Sequence, residues 1–109
     1  MDIQIEHQLN TLTEIIKDTV PVEQIYLFGS YAQGTPRRES DLDIYVVMRD
    51  SSNLREIDAM YLIQKAILGN KSMPVDVLVG KKQKYLERVK GPTIEKSIAD
   101  EGVLLYQSP

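Results

Sequence analysis

Short apolar runs of strand length alternate with stretches of helical periodicity along all 109 residues, and no low-complexity segment, repeat or linker interrupts them. That alternation restricts the chain to an α/β arrangement, a sheet of few strands flanked by helices, in one domain spanning residues 1–109. Ile5, Leu9, Leu12, Ile15 and Ile16 recur at helical spacing, which predicts an amphipathic helix over the first twenty residues, ended by Pro21. Gln24 to Phe28 is an apolar and aromatic run that stops at Gly29-Ser30, as a buried strand does. A helical turn is expected over Tyr31 to Gly34, a polar loop over Thr35 to Ser40, and a second strand over Asp41 to Met48. From Asn53 to Leu68, the apolar residues Leu54, Ile57, Tyr61 and Leu68 mark a longer helix, with Asn53 as its cap and Glu56 completing a capping box. A third strand (Pro74 to Val79), a basic helical stretch (Lys81 to Lys90), a helix between Gly91-Pro92 and Gly102, and a last strand (Val103 to Tyr106) complete the pattern.

A chain of this length buries about two thirds of its unfolded surface, so it can hold a core without covalent staples. No apolar run approaches the length of about 18 residues that a membrane span needs. The acidic start, Met1 to Glu6, lacks the features of a signal peptide and there is no cysteine, so a cytoplasmic location is expected. Zero cysteines and the single His7 exclude structural zinc, thiol chemistry and a histidine-based triad. Catalysis by such a chain must run on carboxylates, hydroxyls and bound cations. A net charge of -3 argues against nucleic acid as a direct partner, because nonspecific binding of that kind rests on a basic surface.

Three short features carry chemistry. Asp41 and Asp43 are two apart on an expected strand, so both side chains fall on one face and can converge on one cation. Magnesium takes hard oxygen ligands, commonly one or two carboxylates with phosphate oxygens and water. Alone, Asp-x-Asp is more often a solvated feature of an edge strand; an EF-hand is ruled out by Tyr45 at the third ligand position. Gly29-Ser30 ends the first strand with a residue that permits a tight turn and a hydroxyl that opens a helical turn, an arrangement suited to an anion and equally to an ordinary connection. It is not a Walker loop, because no Gly-Lys-Ser or Gly-Lys-Thr follows. Asp76 shares a strand face with Leu78 while Val75, Val77 and Val79 share the other, so it is either a carboxylate that needs a cation or one at the sheet rim facing water.

Together, Gly29-Ser30, ten intervening residues, Asp41-Leu42-Asp43 and a later strand aspartate resemble the active-site motif of the polymerase-beta-like nucleotidyltransferase superfamily. The stretch from Gly29 to Val47 is similar in particular to the minimal nucleotidyltransferase (MNT) domains, the MntA-type antitoxins found beside HEPN-domain proteins. Gln33 departs from the pattern, standing where many relatives carry a basic residue. The resemblance implies a mixed sheet flanked by helices and transfer of a nucleoside monophosphate, AMP from ATP, to a hydroxyl acceptor on a HEPN-type partner. It implies that Asp41, Asp43 and Asp76 bind two Mg2+ ions and act in catalysis, that Gly29 and Ser30 bind the nucleotide, and that Asp76 helps deprotonate the acceptor. A homo-oligomer is compatible with it. The alternative is an antitoxin or nucleotide-binding module that neutralises its partner by docking alone.

Other polar residues have plainer expectations. His7 is placed on the polar side of the first helix, Arg37 and Arg38 in the loop before Asp41, and Lys81, Lys82, Lys84, Arg88 and Lys90 on a solvated face open to a phosphate or a partner. Tyr26, Tyr45, Tyr61, Tyr85 and Tyr106 are expected in the core or at its rim.

Overall fold

The computed structural model describes residues 2–37 and 40–109, so Arg38 lies outside the described residues. Helix α1 (Ile3–Thr19) begins where the Asp2 carboxylate accepts a hydrogen bond from the Gln4 amide (2.7 Å), and it stops at Val20, ahead of Pro21. Leu9, Leu12 and Ile16 form its buried face. Strand β1 (Val22–Phe28) starts two residues before the run read from the sequence. Then come α2 (Ser30–Gln33), β2 (Leu42–Met48), α3 (Glu56–Ile67), β3 (Val75–Lys81), α4 (Lys82–Arg88), α5 (Ile94–Glu101) and β4 (Val103–Gln107). Asp41 therefore sits one residue outside the strand it was assigned to.

The strands form one mixed sheet in the order β3-β2-β1-β4, with β2 and β3 parallel and both neighbours of β1 antiparallel to it. Helix α3 is the crossover that the parallel pair requires. Helices cover both faces of the central strand, and Ile44, Tyr45, Val46, Val47 and Met48 are accordingly all buried. On one face the larger core gathers Leu9, Leu12 and Ile16 of α1 and Ile63 and Ile67 of α3 over Ile25, Leu27, Ile44 and Val46. On the other, Tyr85 of α4 and Ile98 of α5 pack over Tyr45 and Val47.

Two expectations about the middle helix fail. It begins at Glu56 behind Arg55, so Asn53 is not its cap, and among the described residues no side chain makes a cap bond. Glu56, assigned to a capping box, instead accepts a hydrogen bond from the Lys81 amide (2.7 Å), and Gln64 donates to the Val75 carbonyl (3.2 Å). Both bonds close the outer edge of β3, where unpaired backbone groups otherwise invite another strand. Moreover, of the residues that mark this helix in the sequence, Leu54 lies ahead of it and packs against the core, while Ile57, Tyr61 and Leu68 are 61%, 67% and 67% exposed; the buried residues of α3 are Ala59, Ile63 and Ile67.

The basic stretch is largely consumed by local partners. Lys81 donates to the Ser52 carbonyl, and Lys82, Lys84 and Arg88 pair with Glu23, Glu56 and Glu95. Among the described residues no helix is long and apolar enough to cross a membrane.

Candidate active site

Strand pairing brings the acids together. In the parallel β2–β3 register Asp43 stands opposite Asp76, and on the other side of β2 the partner of Asp43 is Phe28, the last residue of β1. Asp41 immediately precedes β2, where the Leu42 amide bonds the Pro74 carbonyl (3.1 Å) and fixes the entry of both strands. Asp76 is exposed, while Asp41, Asp43 and Ser30 are half-buried. The carboxyl of Asp43 is held above the usual carboxylate range, first by burial and then by the negative charges of Asp76 and Asp41.

Gly29 is what lets Asp43 occupy this place. Its φ of 77° lies in the left-handed region, and a Cβ built on it would collide with the Asp43 carboxylate. Ser30 then opens α2, a helix of four residues whose first amides have no carbonyl within the helix to bond. The turn and the acids thus adjoin at one end of the sheet. Arg37 is exposed, and its amide is bonded to the Ser40 hydroxyl. His7 is exposed on α1, apart from the acids and near Asn70 and Lys71.

The donor set, three carboxylates at one end of the sheet, is of the kind that divalent cations take. All donors are hard oxygens, none of the three acids has an ion-pair partner among the described residues, and their mutual repulsion is a load that a cation would relieve. They do not form a closed cage: among the described residues no three His, Cys, Asp or Glu side chains are drawn together tightly enough to hold an ion unaided.

Sequence reasoning missed the contribution of α5. The Tyr45 hydroxyl, two residues along β2 from Asp43, donates to the buried Glu95 carboxylate (2.9 Å), which Arg88 also approaches at 3.5 Å. Gln33 donates to Glu101 (3.3 Å), and these two with Phe28, Gly29, Ile94 and Ile98 line a cavity of about 150 Å³ beside the glycine turn. Glu95 and Glu101 lie far along the chain from the motif, and an acid on a short polar helix gives no sequence signal that it faces inward.

Comparison with known proteins shows the family of the chain. The family model described as polymerase beta, nucleotidyltransferase, matches residues 10–109. Protein adenylyltransferase MntA of Shewanella oneidensis is 46% identical over 43 residues, which span 38% of this chain and 31% of that protein. A candidate protein adenylyltransferase of Methanocaldococcus jannaschii is 33% identical over 105 residues, 94% of each chain. The solved structure described as a toxin-antitoxin with AMP-PNP superposes with a TM-score of 0.64 at 25% identity, covering 92% of this chain and 73% of that one. The chain belongs to the polymerase beta nucleotidyltransferase family.

Proposed function

We propose that this nucleotidyltransferase moves AMP from ATP onto a hydroxyl of a HEPN-type partner protein and thereby acts as an antitoxin. The observation that carries the reading is the register of Asp43 against Asp76, with Asp41 beside them and Gly29 clearing the space in front. Asp41, Asp43 and Asp76 would hold two Mg2+ ions, which when bound neutralise triphosphate charge and polarise the α-phosphate. Ser30 and the free amides of the turn bind phosphate oxygens. Asp76, the most exposed of the three, takes the proton from the incoming hydroxyl. The hydroxyl oxygen then bonds the α-phosphorus as the bond to the bridging oxygen breaks, and pyrophosphate leaves. The names of the similar proteins, adenylyltransferases and a toxin-antitoxin with AMP-PNP, support the donor and the context.

Intact mass spectrometry of a HEPN-type partner, co-expressed with wild type or with Asp76→Asn, tests this. Wild type is expected to add one or more AMP increments and the variant none. A partner that is neutralised yet unmodified by wild type would overturn the enzymatic reading and leave docking as the mode of action.

A further inference from the structure

Helix α3 is apolar on nearly every side, a pattern that belongs to a helix covered all round. The fold covers only one side. Ala59, Ile63 and Ile67 are fully buried, whereas Ile57, Tyr61 and Leu68 are 61%, 67% and 67% exposed and Leu62 is 38% exposed. At about 100° per residue, Ile57, Tyr61 and Leu68 fall within about 40° of one another on one side of the helix, with Gln64 and Lys65 flanking the gap between Tyr61 and Leu68. Asp58 and Lys65 lie on one flank of that side, about 20° apart in projection and seven residues apart in sequence. Among the described residues Lys65 has no ion-pair partner and Asp58 is held only by its neighbour Arg55 (2.7 Å).

This flank is its own complement. When two copies of one helix pack antiparallel about a two-fold axis, like flanks face each other and each residue meets its mirror position about the axis. An axis between Tyr61 and Leu62 sets Asp58 of one copy against Lys65 of the other, twice, and lays the two apolar sides together. We infer that α3 is a self-association surface on which two copies of the chain pair antiparallel about this axis. It lies on the face of the sheet opposite the Tyr45–Tyr85 cluster and the acids, so both candidate active sites stay open in the pair. Four apolar side chains per copy make a contact below the usual size of about 1,200 Å², so the dimer is dissociable.

The chain has no cysteine, which makes the geometry directly testable. By sedimentation, wild type is expected to dimerise reversibly. Asp58→Lys alone and Lys65→Asp alone, each opposing like charges, are expected to weaken the dimer at least about tenfold. An equimolar mixture of the two restores both pairs, so a heterodimer of near wild-type affinity is expected. Under mild oxidation Tyr61→Cys, next to the axis, is expected to form a disulfide-linked dimer, and Leu68→Cys, about 20 Å from its mate along the helices, is not. Circular dichroism confirms that each exposed-site variant is folded. A wild type that stays monomeric up to about 1 mM would overturn the proposal. So would a dimer that neither charge reversal weakens, or a mixture that fails to re-form.

Discussion

Asp43 is costly to the folded chain as it stands. It is half-buried, it faces two other carboxylates, and Gly29 has given up its side chain so that the carboxylate fits. Its carboxyl titrates above the ordinary carboxylate value of about 4, so between the two values the folded chain holds a proton that the unfolded chain has lost. Stability therefore falls as pH rises through that window and stays lower above it. Asp43→Asn removes the charge while keeping the shape. In metal-free buffer at pH 7 this variant is expected to melt at or above the wild-type temperature, with the difference vanishing as the pH drops below about 4. A clear loss of stability at pH 7 would show instead that the carboxylate accepts a hydrogen bond that the fold depends on. Such an uncompensated acid is what the proposed cation site requires.

Among the elements, α5 is the one that packs beside both the glycine turn and Tyr45 of β2. It is capped by Thr93, whose hydroxyl accepts from the Lys96 amide, and its first turn presents Glu95 to Tyr45 and Arg88. Tyr45→Phe would leave that buried carboxylate with Arg88 alone, at an expected cost of about 1–3 kcal/mol in denaturant unfolding. Tyr85 lies 5.5 Å from Tyr45 between ring centroids, yet its buried hydroxyl, beside Tyr26, has no well-formed hydrogen bond among the described residues. Tyr85→Phe is therefore expected to be neutral or stabilising, and equal losses for the two variants would disprove the distinction. The sequence predicted the elements to within a few residues because strands and helices here have distinct periods and sharp stops. It left the buried face of α3 unnamed because a helix apolar on most sides offers no single stripe to read, and packing on α1 and β3 selects Ala59, Ile63 and Ile67. Asp41 and Asp43 were legible from local spacing. The register that sets Asp76 against Asp43 spans a whole crossover, and the orientation of Glu95 depends on a contact across 50 residues of chain.

For the molecule as a whole, the arrangement separates two tasks: one sheet face, with α1 and α3, carries most of the core, and the other carries the acids beside a smaller aromatic cluster. Stability invested in the first face lets the second hold three repelling carboxylates, and ligand binding should return part of what that repulsion removes. A ligand that binds only the folded chain stabilises it by about 2.7 kcal/mol at a hundred times its Kd, which for a domain of this size is a rise of about 10–20 °C in Tm. Magnesium together with a nonhydrolysable ATP analogue is expected to give a shift of that order, and chelator to abolish it. Asp43→Asn should respond weakly or not at all although its own metal-free Tm is no lower, so loss of the response cannot be put down to unfolding. An undiminished shift in chelator would show that the nucleotide binds without the acids' cations. An undiminished shift in Asp43→Asn would show that this carboxylate, despite Gly29 and the β2–β3 register, is not part of the nucleotide site.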